Sequence, residues 1–222
     1  MTTSDASRRL ADIESRFDRA AALAARPAGS ATLIAVSKTQ PVEAITPLID
    51  AGQRVFGENR VQEAQAKWPA LLEKTSGLAL HLIGQLQSNK AEDAVALFDA
   101  IHSVDRPSLI AALARAMAKI GKRPACFLQV NIGDEPQKGG VPTAGLAALV
   151  VAARAAELPL AGLMCLPPAD LEPAPYFALL AKLARDHGLD GLSMGMSGDF
   201  ETAVAIGATH VRVGSALFGP RA

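Results

Sequence analysis

Leu33-Ile-Ala-Val-Ser-Lys-Thr-Gln-Pro41 (LIAVSKTQP) is an aliphatic run that ends in polar residues and then a proline. The run reads as a buried strand, and Pro41 opens a helix, where a missing backbone N–H costs little. The turn between them contains no glycine. An open dinucleotide-binding sheet carries a Gly-rich fingerprint after its first strand, so this turn argues against that fold. The same strand-then-helix unit recurs along the chain. Strands read at Leu33–Ser37, Arg54–Gly57, Ala79–Gly84, Ala100–Val104, Ala125–Val130, Leu160–Leu166, Leu192–Met196 and His210–Val213. Between them lie helical patterns such as PVEAITPLIDAG and RPSLIAALARAMAKIG, with Leu, Ile and Ala at helix spacing. A further helix, roughly Ser4–Ala25, precedes the first strand. Strict alternation implies a parallel sheet, because parallel neighbours need a crossover. Eight units favour a closed (β/α)8 TIM barrel, within the α/β class.

Composition narrows the function. The 222 residues carry 22 Lys+Arg against 22 Asp+Glu, are 50% hydrophobic and only 4% aromatic. That is enough apolar material for a substantial core. Zero formal charge and few aromatics offer neither the cationic surface nor the stacking platforms that nucleic-acid binding uses. No uncharged apolar stretch reaches the roughly 18 residues of a membrane span, and the N-terminus lacks the apolar core of a secretory signal. Cys126 and Cys165 sit in apolar runs and read as buried thiols of a cytoplasmic protein. With no linker or low-complexity tract, residues 1–222 read as a single domain.

Such barrels pack their interior with aliphatic side chains and confine chemistry to the C-terminal ends of the strands. Here those ends carry Ser37-Lys38, Glu58-Asn59, Gln85, Ser103 and Asp105, Asn131, Ser197, and Arg212 running into Gly214-Ser215, so seven of the eight strands point polar groups at a shared mouth. Lys38 follows LIAVS directly, where apolar walls would lower its pKa and favour the neutral amine that condenses with carbonyls. After the seventh and eighth strands, SMGMSGDFETA and RVGSALFG bring Ser197, Gly198, Arg212, Gly214 and Ser215 to two turns. Phosphate sites in these barrels recur at those two loops. A carbonyl-reactive lysine facing a phosphate cradle fits pyridoxal 5′-phosphate; a Schiff-base aldolase acting on a sugar phosphate would show the same two features. Four histidines, His81, His102, His187 and His210, show no metal-ligand spacing. His81 is compatible with either the barrel interior or the helix layer. Glu58 and Asp105 read as rim carboxylates that cap helices or pair with Lys38 or Arg212.

AVSKTQP, FGENRVQEA, HLIGQLQSNK, SVD, VNIGDEPQKGG, GLMCLP and SMGMSGDFETAVAIGATHVRVGSALFG occur in this order and span nearly the whole chain. Together they resemble the YggS/PROSC group of pyridoxal-phosphate-binding proteins. The resemblance implies a barrel of PLP fold type III, like the N-terminal domain of alanine racemase, with Lys38 as the lysine that holds the cofactor as a Schiff base. It implies Asn59 beside the cofactor, Ser197, Gly214 and Ser215 around its phosphate, and Arg212 near either the pyridine nitrogen or the phosphate. It further implies intracellular PLP homeostasis, by buffering or delivery, with apo PLP-dependent enzymes as recipients. Arg60, Gln85 and Gly139-Gly140 depart from the group's usual residues, and none is among these contacts.

Racemases of this barrel type need a second base from an additional C-terminal domain. This sequence ends nine residues after Val213, and its one tyrosine, Tyr176, opens a helical segment and reads as a packing residue. The expectation is therefore a monomeric, non-catalytic binder, with a PLP-dependent amino-acid racemase or a Schiff-base aldolase as the alternative. Release of the cofactor to a second amine would draw on Lys138 or Lys90 at the rim.

Overall fold

The computed structural model describes residues 1–219. Eight strands, β1 (Thr32–Val36), β2 (Val55–Glu58), β3 (Ala79–Leu82), β4 (Ala100–Val104), β5 (Ala125–Asn131), β7 (Leu160–Cys165), β8 (Gly191–Met196) and β9 (His210–Val213), pair in parallel around a ring closed by β1 on β9. The ring is the (β/α)8 barrel expected from the alternation. A two-residue strand, β6 (Val141–Pro142), pairs beside the end of β5. It has no counterpart in the sequence reading, being too short to show a period.

Helices α2 (Val42–Asp50), α3 (Val61–Lys74), α4 (Ala91–Leu97), α5 (Pro107–Ile120), α6 (Leu146–Ala155), α7 (Ala174–Asp186), α8 (Phe200–Ile206) and α9 (Ser215–Phe218) follow the strands. The main core lies between helices and barrel wall, where Phe56, Trp68, Leu80, Phe98, Phe177 and Phe200 are fully buried. Helix α1 (Thr3–Leu23) starts with a capping box in which Thr2 and Asp5 satisfy each other's backbone N–H groups. Its buried residues Ala6, Leu10, Ile13, Phe17, Ala20 and Ala21 recur every three or four positions and lie against α2, α8 and α9. Phe17 stacks on Phe200 with ring centroids 5.1 Å apart. Tyr176 packs partly buried against the same core, and both cysteines are buried free thiols whose pKa burial pushes up to about 12.

The barrel centre departs from the expected aliphatic filling. Phe127 of β5 occupies it because Gly191 of β8 has no side chain there: a Cβ on Gly191 would lie 2.8 Å from the Phe127 ring. Around Phe127 stand His102, stacked on it at 4.3 Å, and His210, edge-on at 5.0 Å; His81 lies 5.1 Å from His102. Buried Ser193, Gln129 and Arg212 complete a largely polar interior. His81 is thus an inward residue.

Candidate cofactor site

A cavity of about 260 Å³ opens at the C-terminal ends of the strands, just below the roughly 300–1,000 Å³ usual for small-ligand pockets. It is lined by Lys38, Asn59, Ser197, Arg212, Gly214 and Ser215 together, with apolar walls from Val36, Ile83, Leu166, Met196 and Phe218. The polar lining comes from β2, β1, β9 and β8, which are contiguous in the ring. Of the other polar strand ends, Ser103 is buried with its Oγ unpaired among the described residues, and the rest are engaged elsewhere. Gln85 donates to Gln129 at 2.5 Å, Gln129 donates to the Gly139 carbonyl at 2.9 Å, and Asn131 closes its own turn onto Glu135. Asp105 pairs with Arg106 at 2.7 Å. The shared mouth read from seven strands therefore narrows to one side of the barrel, because the loop after β5 ties the ends of β3 and β5 together.

Lys38 is half-buried in a turn held from the helix side. Lys67 of α3 donates to the Ser37 carbonyl at 2.9 Å and the Gln40 carbonyl at 3.2 Å, and Glu63 accepts from the Thr39 N–H at 2.5 Å. Thr39 takes a positive φ of 61°, a conformation that costs a β-branched residue and persists only where its surroundings impose it. Glu58 is not a rim carboxylate: it is fully buried beneath α3, where its Oε1 accepts from Ser37 Oγ at 2.6 Å and Trp68 Nε1 at 2.9 Å and pairs with Lys67 at 2.9 Å. Alternation along β2 therefore sends Glu58 outward, while Asn59 lines the cavity.

Across the cavity, Ser197 Oγ accepts from the Gly214 N–H at 3.2 Å, joining the two turns after β8 and β9. Asp199, at the N-cap position of α8, turns its carboxylate back to accept from the Met196 N–H at 2.5 Å, so neither it nor Ser197 caps the helix through its side chain. Arg212 is 4% exposed and donates to Ser193 Oγ at 2.6 Å and to the Cys165 carbonyl at 2.9 Å. Burial lowers its pKa, and among the described residues no carboxylate lies within ion-pair distance of it.

Lys90 pairs with Asp93, and Lys138 donates to the Pro167 carbonyl at 2.9 Å and pairs with Glu135. Lys138 lines a neighbouring hollow that shares Leu166 and Met196 with the cavity. A hollow of about 490 Å³ beneath α1 gathers no comparable chemistry. The described residues contain no cluster of three or more metal-ligating side chains and no helix long and apolar enough to cross a membrane. The sequence reading missed what lies under Arg212: Ser193, His102 and His81, visible only once alternate positions on three strands are counted inward.

A barrel with a lysine after β1 and hydroxyls after β8 and β9 defines a class, and residues 9–222 match the alanine racemase N-terminal domain family, to which the chain belongs. Within that class it is a member of the pyridoxal phosphate homeostasis proteins. It is 40% identical to the protein of that name from Escherichia coli, over 98% of this chain and 97% of that one, and 40% identical to the one from Pseudomonas aeruginosa, over 96% and 94%. The solved structure of PipY from Synechococcus elongatus with PLP bound superposes with a TM-score of 0.82 at 41% identity, covering 96% of this chain and 100% of that one. Alanine racemase from Clostridium difficile, at 15% identity and a TM-score of 0.67, shares the fold.

Proposed function

We propose that the chain binds pyridoxal 5′-phosphate in this cavity, carries it as a Schiff base on Lys38, and acts as a carrier that buffers it or passes it to apo PLP-dependent enzymes. One observation carries the reading: a single cavity brings a lysine amine together with two hydroxyl-bearing turns and a buried arginine. The donor set fits the group. Ser197, Ser215 and the backbone at Gly214 suit a phosphate, Asn59 and the apolar walls suit the ring, and Arg212 supplies a positive charge complementary to the phosphate or the pyridine nitrogen. When bound, the cofactor supplies an aldehyde and an electron-accepting ring. An arginine against the ring nitrogen disfavours its protonation and weakens that ring as a sink for carbanions, which suits storage better than turnover. The relatives above are named for homeostasis rather than for a reaction.

The test is spectroscopic. The full chain given pyridoxal phosphate is expected to gain visible absorbance that Lys38→Ala abolishes, and borohydride reduction should fix the label on Lys38. Label on another lysine would overturn the assignment. Racemisation of alanine by the loaded chain at a rate comparable to racemases would overturn the carrier role in favour of the enzyme.

A further inference from the structure

Beneath Arg212 the polar interior forms a continuous line. Arg212 Nη1 lies 2.6 Å from Ser193 Oγ, Ser193 Oγ lies 2.8 Å from His102 Nδ1, and His102 Nε2 lies 3.1 Å from His81 Nδ1. These contacts join β9, β8, β4 and β3 across the barrel. Ser193 and His102 are fully buried, so each group must find its partner within the protein.

Donor chemistry orders the protons along this line. A guanidinium only donates, so Ser193 Oγ accepts from Arg212. The one remaining partner of the serine hydroxyl among the described residues is His102 Nδ1, so its hydrogen goes there. His102 Nδ1 is then an acceptor, its proton sits on Nε2, and that N–H donates to His81 Nδ1. The reverse order would leave the serine hydrogen buried without an acceptor. We infer that Ser193, His102 and His81 are positioning residues, a one-way hydrogen-bond chain of neutral imidazoles that fixes the Arg212 guanidinium in the cavity wall. The groups facing the chain agree. Burial opposes a charge on either imidazole, His210 opposes one on both rings, and His81 and the Arg212 cation oppose one on His102, while Asp99 near His81 is the one acid acting the other way. The chain explains how a buried arginine without a carboxylate is oriented: the neutral line and the Cys165 carbonyl hold two of its donors and leave the others for the cavity.

The arginine's role toward a ligand rests on the proposed function; the chain itself does not, and its test uses the full protein without added ligand. Nitrogen-15 NMR should show His102 and His81 as neutral Nε2–H tautomers, unchanged from pH 6 to 8. A charged ring or an Nδ1–H tautomer at His102 would overturn the proton order. Arg212 should give separate, slowly exchanging Nη signals that merge in Ser193→Ala. Separate signals persisting in that variant would overturn the positioning role. With pyridoxal phosphate, Ser193→Ala should bind at least tenfold more weakly than the parent, and equal binding would likewise sink that role. If the parent itself fails to bind, the proposed function falls, while the ligand-free signals still decide the chain.

Discussion

Lys67, partly buried, and Arg212, buried, are two cations of the same barrel held on opposite principles. Lys67, outside the β1–β2 wall, is neutralised by Glu58 and Glu63 at 2.9 Å each and grips the Lys38 turn through two carbonyls. Arg212, inside the wall, has only neutral acceptors, and burial lowers its pKa. A compensated charge serves the fold. An uncompensated one is costly to keep buried, and where it lines a cavity that cost marks a place where an anion or electron-rich ring is received.

The sharpest way to break this contrast is Lys67→Met. It would leave Glu58, fully buried, without its cation, and loss of one partner of a buried pair costs about 3–5 kcal/mol. Urea unfolding should register that loss, and adding Glu58→Gln to the variant should recover part of it. A change below about 1 kcal/mol would mean that the outer network is not a stabilising clamp.

Acid probes the inner network next. Burial holds His81 and His210 at about 4, against an ordinary value of 6.5, so the unfolded chain binds more protons than the folded one between these values. The stability from neutral imidazoles is complete above about pH 6.5, falls as pH drops towards 4 and levels off below. At about 1.4 kcal/mol per pH unit, His81 accounts for roughly 3 kcal/mol across that window. Denaturant titrations at stepped pH should show the slope, and His81→Leu should make it shallower while leaving the share of His210. A flat profile in the parent would place water or an anion in the barrel.

Third, Arg212→Met should leave stability within about 2 kcal/mol of the parent, because it removes an uncompensated charge while leaving only a serine and a carbonyl short of a donor. Retention of pyridoxal phosphate, followed by absorbance after gel filtration, should nevertheless fall at least tenfold. A large loss of stability with binding intact would reverse the contrast with Lys67.

Most of the frame behind this contrast was legible in LIAVSKTQP and its seven successors, because βα alternation survives in periodicity alone. All eight barrel strands fall within one or two residues of where the hydrophobic runs place them. Lys38, Asn59, Ser197, Arg212, Gly214 and Ser215 could be named because strand ends and two loops are local features. Glu58 was misplaced at the rim because sequence position does not tell which face of β2 it takes; Trp68 and Lys67, in the following helix, turn it outward. The Arg212–Ser193–His102–His81 line was invisible because Ser193 and His102 lie 91 residues apart and meet only when the ring closes.

A third cation calibrates the other two with the smallest expected effect. Arg16 of α1 makes two hydrogen bonds to Glu201, at 3.1 and 3.0 Å, and its guanidinium stands 4.6 Å over the Phe200 ring. The pair is compensated like Lys67, yet Glu201 is half exposed, so solvent screens it. Exposed pairs contribute about 0–1 kcal/mol, and a solvent-accessible cation over a ring face adds a similar amount. Arg16→Ala should therefore cost about 1 kcal/mol in urea unfolding, a loss that shrinks in high salt, whereas the Lys67→Met loss should persist because its partner is dry. Equal salt sensitivity in both variants would show that burial does not set the difference among these cations.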